Sequence, residues 1–188
     1  MNIIVKTYSD RIIVRPDTTW ERDSEDVFLP EFVTRVDWTP VLFARISKPG
    51  RSVGQEFASR YYDGIGFGIL LYPHDLLDGS EEGFAQASCL DHTSFLPFPV
   101  FDKQTLGTAD NCFRLLKGED QIFEYGQGNT LMIEKAVAQA TRYCYIRTGD
   151  ILAIELQERR GLCCVGEGNT LVKGIWCCKP VLDFKVVL

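Results

Sequence analysis

The amino-acid sequence predicts an α+β chain that is mostly β, with few helices. Three observations predict it. Short β-branched and aromatic runs recur between turn residues, as in ILAIEL, NTLVKGIWC and VLDFKVVL. Only the stretch after Asn129 keeps a helical period, with Ile133, Ala136, Val137, Ala140 and Cys144 on one face. And 188 residues with 45% hydrophobic content are enough for one core but short of two. Residues 1–188 are therefore expected to form one domain, in which 1–40 supply N-terminal strands and a connecting segment and 41–188 the main core.

Asn2 to Thr7 and Arg11 to Arg15 read as a hairpin around the turn Ser9-Asp10. Residues 16–40 read as irregular connection because prolines and charges interrupt them, and VLFARI at 41–46 resumes strand composition. Gln55 to Tyr62 is expected to be a short helix and Gly64 to Leu71 a strand. The segment from Asp78 to Phe101 mixes acids, small residues and aromatic–proline steps, which predicts a surface loop with little regular structure. CFRLLKGEDQIFEYG predicts a hairpin about Gly118-Glu119-Asp120. Asn129 or Thr130 caps the helix that follows, by accepting from a free N–H. The words GQGNTL and GEGNTL, at 126–131 and 166–171, read as turn chemistry, one entering the helix and one joining strands.

Composition excludes several functions. The 26 acidic against 20 basic residues, a net charge of −6 and no basic stripe argue against a nucleic-acid partner. No apolar run reaches the roughly 18–20 residues of a bilayer span, and the start MNIIVKTYSDR lacks a signal h-region, so a soluble, cytoplasmic protein is expected. Seven cysteines without a C-x-x-C pair argue against a disulfide framework or a zinc knuckle. The pairs Cys163-Cys164 and Cys177-Cys178 read as strand neighbours, one thiol inside and one outside.

Few groups carry chemistry. His74 is the candidate for proton transfer because imidazole titrates near neutral pH and Asp75 adjoins it. Adjacent residues rarely face each other, which favours a histidine that fixes a loop. Asp91-His92 raises the same possibility with the same defect. Glu155 closes a strand and is a candidate to face a ligand. Asp78, Glu81 and Glu82 lack the alternation of a calcium loop, and Gly64, Gly66 and Gly68 precede no helix N-terminus that could receive a phosphate.

Three segments resemble the fumarylacetoacetate hydrolase family in its short single-domain form: RYYDGIGFGILLYPHDLL, GQGNTLMIEKAVAQATRYCYIRTGDILAI, and the closing strands to Leu188. The second carries most, because Gln127, Asn129, Thr130, Met132, Thr148, Gly149 and Asp150 come in nearly the order of a Q-x-G-N-T-x-x-M turn followed by T-G-D. The resemblance spans about residues 38–188. It implies a mixed-β roll, a homodimer, and an activity that cleaves or rearranges C–C bonds of keto acids with a Mg²⁺-type ion held by an E-x-E pair and an aspartate.

The departures from that pattern fall on the reacting groups. The register anchored on Asp75-Leu76 places Thr39 and Val41 at the two glutamates, Leu70 at the metal aspartate, His74 at an arginine and Leu77 at a glutamine. Ser88 falls near an expected lysine, and the T-G-T-P strand end becomes Ile154, Glu155, Leu156 and Gln157. The resulting expectation is a divergent member without a metal cofactor, with a pocket beside His74, Asp91 and Glu155 for a small organic acid, or a role in assembly alone. The competing expectation is an active Mg-dependent hydrolase, isomerase or decarboxylase of keto acids, whose carboxylates would be Asp37, Glu56, Asp63 and Asp75. A structural or interaction subunit is the third class.

Overall fold

The computed structural model describes residues 1–108, 111–126 and 128–188. Gln127, part of the motif above, lies outside them. Along the chain run β1 (Ile3–Lys6), β2 (Ile12–Arg15), β3 (Trp20–Glu21), β4 (Val27–Phe28), β5 (Arg35–Ile46) and β6 (Tyr62–Pro73), then α1 (Glu81–Ala87), β7 (Ser94–Phe95), β8 (Phe113–Lys117) and β9 (Asp120–Tyr125). After these come α2 (Thr130–Tyr143), β10 (Ile151–Glu155), β11 (Arg160–Cys164), β12 (Thr170–Trp176) and β13 (Lys179–Val187). The larger sheet has the order β2-β1-β10-β5-β6-β7-β3, with β11 also on β5, and the smaller β4-β13-β12-β8-β9. The mostly β expectation holds, as do both hairpins and the helix.

Strand alternation divides the larger sheet into two faces. Ile4, Trp38, Leu42, Phe67, Ile69, Leu152 and Ile154 point into the main core, which they share with the smaller sheet and α2. Ile3, Val5, Val41, Phe43, Leu70, Tyr72, Ile151 and Ala153 point the other way, into a second cluster closed by Ala87 and Phe84 of α1. The Asn129 side chain caps α2 by accepting from the Met132 N–H at 3.1 Å.

Three expectations need correction. The segment 16–40 is not all connection: β3, β4 and the first half of β5 lie within it, and β5 runs 12 residues through Pro40. The proline is tolerated because β5 changes partner there, its pairing with β11 ending at Trp38 and that with β10 beginning at Val41. The segment 78–101 contains α1, whose N-cap Ser80 accepts from Gly83 while Glu81 and Glu82 sit in the first turn. Cys163 is buried and Cys164 half-buried as expected, but Cys177 and Cys178 form the β12–β13 turn with φ of 51° and 58°. Two successive residues of positive φ give a tight hairpin turn whose twist matches its strands.

Candidate functional site

The second face of the larger sheet carries a polar group inside an apolar cluster. Glu155 ends β10 opposite Val41, so its side chain leaves from the Val41 face. Tyr72 lies two residues beyond Leu70 on β6 and shares that face. The Tyr72 hydroxyl donates to Glu155 Oε1 at 2.7 Å, and the Tyr8 N–H, from the tip of the β1–β2 hairpin, donates to Oε2 at 2.8 Å. Arg15, opposite Ile3, completes the group from β2 and is fully buried.

The Arg15 guanidinium donates to the Ser88 carbonyl (2.9 Å), the Leu71 carbonyl (3.1 Å) and Thr93 Oγ1 (2.6 Å), and its centre lies 4.8 Å from the Tyr72 ring centroid. Burial lowers its affinity for a proton, an effect opposed by Tyr72 and Glu155. Burial, followed by the charge of Glu155, pushes the Tyr72 phenol far above its ordinary value, so it remains a neutral donor at any physiological pH. The buried positive and negative charges are thus linked through one tyrosine.

Above Glu155 opens a cleft of about 640 Å³ lined by Thr7, Tyr8, Ser9, Arg11, Phe84, Glu155, Glu158 and Arg159. The Arg159 guanidinium lies over two rings, 4.5 Å from the Phe84 centroid and 5.1 Å from that of Tyr72. Among the described residues neither Arg11 nor Arg159 has a carboxylate within 4.0 Å, and Glu158 has no cation within that distance. The arrangement can hold a small charged molecule against an aromatic wall.

The residues singled out in the sequence do not share one cleft, which corrects the pocket expected beside His74, Asp91 and Glu155. Only Glu155 lines the cleft just described. Asp91 lines another, of about 410 Å³, with Glu21 and His92, and there His92 Nδ1 is 3.2 Å from Glu21 Oε2. His74 Nδ1 meets Oδ2 of buried Asp37 at 2.8 Å rather than its neighbour Asp75. Asp75 accepts from the Thr34 N–H and hydroxyl and the Arg35 N–H, fastening the turn after β6 to β5. Burial opposes ionisation of Asp75, but these hydrogen bonds hold its carboxyl below the ordinary value. Ser88 is buried, its hydroxyl donating to the Phe84 carbonyl within the α1 turn.

Thr39 and Leu70 are direct cross-strand partners, Leu70 also pairs with Ser94, and Val41 faces Gly68. Thr39, Val41 and Leu70 are wholly inaccessible to solvent, and Thr39 Oγ1 donates to the Gln157 carbonyl at 2.8 Å. The four alternative carboxylates are scattered. Asp63, in a forked pair with Arg45 at 2.8 and 3.0 Å, stands near the start of β6, and Asp75 follows its end, ten strand residues and roughly 30 Å further on. Glu56 belongs to the 3-10 turn Gln55–Arg60. Among the described residues no three His, Cys, Asp or Glu side chains converge on a common point.

Sequence reasoning missed Arg15, Tyr72 and Arg159. The one available signal was the period of β2, which sets Arg15 on the same side as Ile13 and therefore inward.

No sequence-family model matches the chain, and no curated protein matches it in sequence. Solved structures do match. A Yersinia pestis CO92 protein assigned to the fumarylacetoacetate hydrolase family superposes with a TM-score of 0.80 at 14% identity, over 99% of this chain and 92% of that one. The fumarylpyruvate hydrolase of Pseudomonas aeruginosa, solved with Mn²⁺ and pyruvate, gives 0.80 at 14% identity over 100% and 90%. This chain has the fumarylacetoacetate hydrolase fold. The 5-carboxymethyl-2-hydroxymuconate delta-isomerase of Mycobacterium smegmatis shares that fold too, with a TM-score of 0.77 at 16% identity over 99% and 78%. Proteins of this fold thus include both hydrolases and isomerases, and among the described residues of this chain no helix is long and apolar enough to cross a membrane.

Proposed function

We propose that this chain is a divergent protein of the fumarylacetoacetate hydrolase fold that binds a small organic acid in the cleft over Glu155, without a divalent metal ion. The surroundings of residue 70 carry the reading. A Mg²⁺-type ion needs an octahedron of oxygens with carboxylate charge to offset its lost hydration. Leu70 and Val41 offer methyl groups, and the neighbouring hydroxyls are already engaged, that of Thr39 donating to the Gln157 carbonyl and that of Ser94 hydrogen-bonded to the Thr19 hydroxyl. These residues do not fit the ion.

The cleft offers a different chemistry. Arg11 and Arg159 present guanidinium groups that match a carboxylate in geometry as well as charge. Stacking on Phe84 and Tyr72 limits the positions open to Arg159, so less side-chain freedom is lost on binding. Glu155 is held by Tyr72 and Tyr8, which fixes the floor of the cleft.

Titration calorimetry with Mg²⁺ and Mn²⁺ tests the metal-free reading. No saturable heat is expected, and tight stoichiometric binding would refute it. The second reading is a metal-dependent enzyme acting on C–C bonds of keto acids, favoured by the shared fold of a hydrolase solved with Mn²⁺ and pyruvate. Oxaloacetate and acylpyruvates assayed with and without chelator separate the two: turnover that a chelator abolishes supports the enzyme.

A further inference from the structure

The charges lining the cleft narrow the class of acid that would bind. Two cations, Arg11 and Arg159, share it with two carboxylates, Glu155 and Glu158, so the lining carries no net charge. A plain organic anion would gain the two guanidiniums while facing the two carboxylates uncompensated. Glu158 is exposed and makes no hydrogen bond or ion pair among the described residues. Glu155 accepts one hydrogen bond on each oxygen, which leaves lone pairs on a carboxylate with about four acceptor positions.

We infer that the cleft selects an amphoteric acid of the α-amino-acid type, its carboxylate on Arg159 and Arg11 and its ammonium on Glu158 and the free lone pairs of Glu155. The inference rests on the proposed organic-acid function and specifies its ligand. Each charge on the ligand then meets an opposite one, and the aliphatic part lies against Phe84. An ammonium also brings three N–H donors to the carboxylates of Glu158 and Glu155, which a keto or methylene group cannot do.

The test uses three probes on one carbon skeleton, L-glutamate, 2-oxoglutarate and glutarate, which differ only in carrying ammonium, ketone or methylene at one carbon. Binding is read by calorimetry and by shifts of backbone amide resonances. L-glutamate is expected to bind at least about fivefold tighter than either analogue. In Glu158→Gln that advantage should shrink, with glutarate unchanged or tighter, and Arg159→Gln should weaken all three. Both residues are exposed, so the variants keep the fold. Equal binding of the three probes, or a preference for the keto acid that Glu158→Gln leaves alone, overturns the inference while the organic-acid function stands. Binding of none up to millimolar concentration overturns both.

Discussion

The same strands build both faces of the larger sheet, residue by alternate residue, yet the faces are held by different forces. On the main-core face Phe67 stacks on Phe113 at 4.7 Å between centroids and meets the edge of Trp176 at 4.9 Å, so cohesion there follows buried apolar area. On the opposite face Arg15, Tyr72 and Glu155 sit among aliphatic and aromatic side chains. Their cohesion depends on every partner being in place, since a buried charge that loses its partner keeps its full desolvation cost. The first face tolerates graded change. The second behaves as a unit whose members come from β2, β6 and β10 and from the segment between α1 and β7.

The largest effects are the ones that separate these forces. Arg15→Ala should cost about 3–5 kcal/mol, because it orphans the Ser88 and Leu71 carbonyls and removes the buried cation that Tyr72 links to Glu155. Phe67→Ala should cost a similar amount, about 3–5 kcal/mol, through a cavity. Urea denaturation measures both, and combination with Glu155→Gln tells them apart. The Arg15 and Glu155 effects should be non-additive by about 0.5–3 kcal/mol, whereas Phe67 and Glu155 add. Additivity in both pairs would break the comparison.

Tyr72→Phe sharpens it at a smaller scale. It keeps the ring against Arg15 and Phe84 and removes only the hydroxyl that donates to Glu155, for an expected loss of about 1–3 kcal/mol. A loss near zero would mean that the carboxylate finds another donor and that the three residues are not one unit.

The smallest effect lies at the exposed start of β5, where Asp75 holds Thr34 and Arg35. The folded carboxyl of Asp75 titrates below the ordinary value of 3.8, so its contribution to stability is complete above that value and fades as the pH falls through the folded value. Asp75→Asn should lower stability at neutral pH and flatten the acid limb of a stability-against-pH curve, so that the two curves converge below the folded value. An identical acid limb in the variant would remove Asp75 from the account.

Much of the fold could be read from the sequence because its signals are local. The period of α2, its Asn129 cap and the strand composition of β10 to β13 each occupy one window of residues. Where reading failed, the deciding partner was distant: β5 extends back to Arg35 because β6 and β11 are there to pair with it, whereas the prolines and charges of 16–40 argued against a strand. The candidate site was legible only at Glu155, a strand-end acid. His74 and Asp75 looked like a pair because they are neighbours, but a turn sends one to Asp37 and the other to Thr34. Arg15 and Glu155 are 140 positions apart in the sequence, a separation that no short motif expresses.

The hydrogen bond from the Tyr8 amide to Glu155 makes the hairpin tip part of the cleft wall. A molecule arriving at that carboxylate would disturb the electron density on its oxygens and, through them, the shielding of a single main-chain proton. The ¹H–¹⁵N resonance of Tyr8 is therefore a native sensor of occupancy that needs no label beyond nitrogen-15, and its rate of exchange with deuterium would slow as the hairpin is pinned.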